Sequence, residues 1–95
     1  MVIILNEFAV EELNDAVDFY ELQVDDLGKR FKDEIKSALR SIKKNPDTWP
    51  TESGDIRKFI LHKFPYKILD SIETGYIYVI AIAHMHRRPQ YWSER

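Results

Sequence analysis

Cysteine is absent from this 95-residue sequence, so no disulfide framework, thiolate metal site or thiol nucleophile is available to it. Stability must then come from packing, and a reducing cytoplasm is the simplest setting. Long apolar runs are also missing. The opening MVIILNEFAV is apolar for only four residues after Met1 and has neither a basic n-region nor a small-residue cleavage site, which argues against a signal peptide or a membrane span. A soluble, unprocessed, cytoplasmic protein with no membrane partner is expected. No repeat, low-complexity segment or HExxH motif occurs, and with a formal net charge of −2 the chain lacks the basic excess of a general nucleic-acid coater.

What is present is 44% apolar residues, enough for one modest core, so a single domain over residues 1–95 is expected. Charge is divided unevenly. Residues 1–54 carry 7 Lys and Arg against 12 Asp and Glu, whereas residues 55–95 carry 7 against 4 and hold all three histidines. The basic part suits an anionic partner, or is one of two ordinarily solvated faces, and the acidic part would repel nucleic acid.

Along the chain, Val2, Ile3, Ile4 and Leu5 form a β-type run, and Asn6 is placed to cap a helix beginning near residue 7. Ala9, Leu13, Ala16, Val17, Tyr20 and Val24 recur at helical steps, with Glu7, Glu11 and Glu12 read as negative charge in the first turn, where the helix dipole favours it. VDDLG breaks the pattern at Asp25, Asp26 and Gly28. Leu27, Phe31, Ile35, Ala38, Leu39 and Ile42 then resume it, with Lys43 and Lys44 at the C-terminal end, so two helices should pack as an antiparallel hairpin. NPDTWPTESGD (45–55) reads as an ordered connection. IRKFIL, YKILDSI and YIYVIAIA read as three strands of an antiparallel meander, joined by HKFP and ETG. Both alternating sets of YIYVIAIA, Ile77/Val79/Ala81/Ala83 and Tyr76/Tyr78/Ile80/Ile82, are largely apolar, as in a central strand with both faces partly covered. The expected fold is α+β, in the order β-α-α-β-β-β, with a helical turn after Pro89 and the helix pair on one face of a small antiparallel sheet.

The chemistry gathers at the end, in AHMHRRPQYWSER (83–95). Period two would put His84 and His86 on one side if the strand persists that far. His62 is the only other histidine, so the set falls short of a zinc site, and neither a metal nor another cofactor is expected. A metal-free nuclease is chemically open, because His, Lys, Arg and Tyr can supply an acid, a base and charge stabilisation for phosphoryl transfer. Its candidates are Arg57, Lys58, His62, Lys67, His84, Arg87, Arg88 and Tyr91. The alternative is a recognition surface: Pro89 stops the strand, Tyr91 and Trp92 fold back as anchors, and Arg87 and Arg88 stay exposed to an acidic or phosphate-bearing target. His84, His86, Arg87, Arg88, Tyr91 and Trp92 would then bind the target.

AVEELNDAVDFYE (9–21), NPDTWP (45–50), RKFILHKFPYKI (57–68) and AIAHMHRRPQYW (81–92) together resemble the RelE/ParE family of toxins from type II toxin–antitoxin modules. FPYKI (64–68) and AHxxRRPxYW (83–92) are the most specific pieces, and the resemblance covers nearly the whole chain. It implies a bacterial or archaeal stress-response or plasmid-stabilisation toxin, neutralised by an extended antitoxin segment in a toxin–antitoxin hetero-oligomer. The family holds two activities: RelE-like members cut mRNA on the ribosome as mRNA interferases, and ParE-like members block DNA gyrase. By position in the motifs, Lys58, Lys67 and Tyr91 match the RelE-type site, with His84 and Arg87 as further candidates. Ile60 replaces a second strand lysine, however, and Met85 stands where an essential strand-end arginine is expected. Two lost donors would cost orders of magnitude in phosphoryl-transfer rate, which favours the ParE-like branch, leaning away from an enzyme. Lys58, Ile60 and Lys67 are the expected antitoxin contacts. A detoxified relative that keeps only antitoxin binding is the third reading.

Overall fold

Four consecutive apolar residues followed by an asparagine set the first structural decision. In the computed structural model, which describes residues 1–95, Val2–Leu5 forms strand β1 and Asn6 caps helix α1 (Glu7–Gln23), its side chain accepting from the Phe8 amide at 2.7 Å. Helix α2 (Leu27–Lys44) follows, then strands β2 (Thr51–Ser53), β3 (Ile56–Ile60), β4 (Tyr66–Ile72) and β5 (Tyr76–His84). The sheet order is β1-β5-β4-β3-β2.

The α+β class and the helix pair on one face agree with the sequence reading, but the sheet is larger and mixed. β1 pairs parallel to β5, from Val2 opposite Tyr76 to Leu5 opposite Val79, and the other pairings are antiparallel. A parallel pair needs a long crossover, which the helical hairpin and the meander together provide. β2 lies inside the segment read as a connection. It is an edge strand three residues long, with Thr51 opposite Arg57, Ser53 opposite Ile56 and an irregular register between them. Gly54, at φ 55°, makes the turn into β3.

The turn between the helices is tighter than its composition implies. Asp26 sits at the N-cap of α2 in the left-handed region, φ 69°, without a capping bond of its own. Glu21 of α1 supplies the cap, accepting from the Asp26 and Gly28 amides at 3.0 and 3.1 Å. Gly28 is helical and buried rather than a breaker: a Cβ there would meet the Val17 carbonyl oxygen at 2.5 Å, so the helices cross where only hydrogen fits. Val24 lies past the end of α1 and is exposed, not part of its buried face.

α2 contributes Phe31, Ile35, Ala38 and Ile42, spaced on one face, to a core with Ala9 and Ala16 of α1 and Ile68, Ile77, Val79 and Ile82 of the sheet. Each large side chain buried this way contributes about 1.5–3 kcal/mol. Phe31 also meets Tyr20, Phe64 and Tyr66 at ring separations of 5.3, 5.0 and 5.0 Å, which fastens the β3–β4 connection to both helices. Burial raises the phenol pKa of both Tyr20 and Tyr66.

A second, smaller apolar cluster of Leu69, Ile80, Ala81, Ala83 and Trp92 covers the far side of the sheet. Strict alternation along β5 does not hold. Val79 pairs with Asp70 and Ala81 with Leu69, so Ile80 is an extra residue in β5, and side chains beyond it switch faces. Ile82 therefore joins Ile77 and Val79 beneath the helices, whereas Ala81 and Ala83 lie with Ile80 under Trp92. No helix is long and apolar enough to cross a membrane.

Candidate functional site at the C-terminal turn

β1 stops pairing at Val79 because Asn6 turns the chain into α1, its own amide donating to the Val79 carbonyl at 2.8 Å. The outer edge of β5 beyond that point has no strand beside it, and unpaired strand edges must be satisfied or covered. Glu12 does this. It lies beyond the first turn of α1, where only Glu7 is acidic, and points inward rather than serving the helix dipole. Its carboxylate accepts from the Ile82 amide at 3.1 Å, from the Tyr91 hydroxyl at 2.5 Å, and from both terminal nitrogens of Arg95 at 2.6 and 3.1 Å. Arg95 also reaches the Ile80 carbonyl at 3.3 Å. The final residues thus cover the edge that β1 leaves free.

The strand ends at His84, five residues before Pro89, so proline is not what stops it. The Met85 amide donates to the Pro65 carbonyl at 2.8 Å, and the Arg87 amide folds back onto the His84 carbonyl at 3.1 Å. From there the expected helical turn is replaced by successive tight turns, closed by Tyr91 on Arg88, Ser93 on Gln90 and Arg95 on Trp92, with Gln90 at φ 58°. His84 and His86 still face one another, with ring centroids 5.2 Å apart, because His84 Nδ1 accepts from the His86 amide. His84 also meets the edge of Tyr66 at 5.1 Å, which links the turn to the aromatic core.

The cations of the basic part differ in how they are occupied. Lys67 donates to Glu52 of β2 at 2.8 Å, and Lys58 lies 3.9 Å from the other oxygen of the same carboxylate. Arg57 is drawn to the Pro46 carbonyl and to Asp47, and Arg95 is held by Glu12. Arg87 and Arg88 are exposed and form no ion pair. The Arg87 guanidinium rests 3.9 Å from the centre of the Tyr91 ring. These two arginines, next to His84 and His86, form a patch of unpaired positive charge on a turn that Trp92, 8% exposed, pins to the sheet.

Lys67, His84, Arg87, Arg88, Tyr91 and Trp92 line one crevice, together with Glu52. Lys58 is set back beside Glu52, and Ile60, half exposed, is the cross-strand neighbour of Lys67. His62 is not part of the group: it borders a separate hollow with Glu34, Ser37 and Ser41 of α2. No three side chains of metal-binding type converge anywhere in the chain. Burial and the bond to Glu12 hold the Tyr91 phenol well above the usual range, so it is a donor at neutral pH and not a base. Glu52 and Arg95 were not singled out from the sequence, and Glu12 was read only as helix-dipole charge, since nothing local marks a carboxylate whose partner is 83 residues away.

The family model described as "ParE toxin of type II toxin-antitoxin system, parDE" matches residues 3–89. Among solved structures, the chain is similar to one titled "Chromosomal ParDE TA system from P. aeruginosa", at 14% identity and a TM-score of 0.67, over 88% of this chain and 95% of that one. At that identity the likeness is one of fold. No curated protein sequence matches the chain.

Proposed function

Since the chain belongs to the ParE toxin family of type II toxin–antitoxin systems, we propose that it acts in the cytoplasm as an inhibitor of DNA gyrase and is silenced by a cognate antitoxin. The observation that carries this reading is the contrast among its cations. Arg87 and Arg88 are displayed on a docked turn without acidic partners, whereas Lys58 and Lys67 are engaged by Glu52 and Tyr91 is engaged by Glu12. That arrangement favours recognition of an acidic surface over acid–base chemistry. Ile60, Lys58 and Lys67 offer the antitoxin a mixed apolar and basic strip of sheet, which suits an acidic amphipathic segment and a partly salt-sensitive complex. Plasmid stabilisation or a stress response would follow from release of the toxin when its antitoxin is lost.

The test is inhibition of purified gyrase in a supercoiling assay, alongside growth after induction without antitoxin. The wild-type chain should inhibit both, and the Arg87→Ala/Arg88→Ala variant should stay folded and inhibit neither. One observation favours the mRNA-cleaving alternative: Lys67, His84, Arg87 and Tyr91 do share a crevice. Ribosome-dependent mRNA cleavage that survives the double arginine change but is lost in His84→Ala would replace the gyrase reading with that one. Normal growth with soluble wild-type protein present would leave only antitoxin binding.

A further inference from the structure

We infer that Glu12 is a positioning residue for the target-binding turn, acting on Arg87 through the Tyr91 ring; the assignment rests on the reading of that turn given above. Three contacts in series define the path. The Glu12 carboxylate accepts a 2.5 Å hydrogen bond from the Tyr91 hydroxyl, Tyr91 presents its ring to Arg87, and the Arg87 guanidinium lies 3.9 Å from the ring centre. A phenol that donates to a carboxylate gains electron density in its ring, which strengthens the attraction for a cation over its face. Glu12 is itself fixed at two points that do not involve Tyr91: the Ile82 amide of β5 and the forked guanidinium of Arg95, which also lies 4.9 Å from the Tyr91 ring centre. The ring is thus oriented from the rigid sheet and helix, and Arg87 inherits that orientation.

Arg88, the next residue, has no such support, so the two arginines differ. Arg87 is held in advance and loses little side-chain freedom on binding, whereas Arg88 must be ordered by the target. Glu12 lies in the second turn of α1, and its partners Tyr91 and Arg95 lie beyond residues 3–89, the span that the family model matches.

The first test needs no partner. Ring current from Tyr91 should shift the side-chain protons of Arg87 upfield of those of Arg88 in NMR spectra of the wild-type protein. In Glu12→Gln, which keeps an oxygen for the Ile82 amide but removes the charge, the Arg87 shifts should collapse toward those of Arg88. Tyr91→Phe should do so in part, and serves in place of Glu12→Gln if the latter does not fold. Retention of the wild-type Arg87 shifts in the folded variant would overturn the assignment. The second test is a double-mutant cycle on gyrase supercoiling. Glu12→Gln should weaken inhibition by about tenfold in the wild-type background and add nothing in an Arg87→Ala background, whereas fully additive losses would mean that Glu12 acts independently of Arg87. A wild-type chain that fails to inhibit gyrase would remove the gyrase reading, and the NMR comparison would still decide the role of Glu12.

Discussion

Glu12 and Glu52 each hold two side chains at once and are almost equally shielded, with side-chain exposures of 15% and 18%, yet they grip in different ways. Glu12 stands on a 17-residue helix and receives a backbone amide, a phenol and a forked guanidinium. Glu52 stands on a three-residue edge strand and receives two lysines, one of them only at 3.9 Å. A planar fork with fixed donors converts burial into geometry, while a pair of flexible ammonium groups neutralises charge without fixing position. The first arrangement belongs to the architecture; the second leaves its two lysines more loosely held.

Removal of the stronger grip should have the largest effect. Glu12→Ala strands the Arg95 guanidinium, the Tyr91 hydroxyl and the Ile82 amide in a partly buried place, and should cost about 3 kcal/mol in chemical denaturation. Trp92→Ala attacks the same tail from its apolar side and should cost about 2 kcal/mol, read as a lower melting temperature.

A third carboxylate sharpens the contrast because it lacks a good partner. Asp70 is 1% exposed and has one oxygen without a hydrogen bond, and burial pushes its carboxyl up to about 6 although Arg57 across the strand pulls the other way. The folded chain then holds this proton to higher pH than the unfolded chain does, so stability falls as pH rises from the ordinary carboxylate range to about 6 and stays lower above it. Asp70→Asn should therefore stabilise the protein by about 2 kcal/mol at pH 7 and by little near pH 4, in melts across that range. The smallest change is expected from Glu52→Gln, within about 1 kcal/mol in stability, while the freed Lys58 and Lys67 should tighten the hold on an acidic antitoxin peptide in calorimetry. An Asp70 effect independent of pH, or a Glu52 effect as large as that of Glu12, would break the comparison.

The architecture was readable wherever local pattern and tertiary demand coincide. Asn6 announced a cap, the spacing from Phe31 to Ile42 announced a buried face, and three β-rich runs separated by short turns announced a meander. β2 was hidden because Pro50 and Gly54 flank three polar residues that read as turn. The parallel partner of β1 was hidden because VIIL carries no direction. The extra residue at Ile80 was invisible since both alternating sets of β5 are apolar, so a change of phase leaves no trace. At the site, Trp92 and Tyr91 showed themselves as anchors by size and Arg87 and Arg88 by charge, but the carboxylates that decide which cations are free did not.

The pairing of Val2–Leu5 with Tyr76–Val79 has a consequence for synthesis. β1 is made well before its only neighbour in the sheet, which lies more than seventy residues downstream, so it cannot pair until β5 has been made. Local contacts in the helical hairpin can form early, but closing so long a loop must wait for β5, and Glu12 waits longer still for Tyr91 and Arg95. The turn that carries Arg87 and Arg88 gains its Glu12 anchor only once Tyr91 and Arg95 have been made.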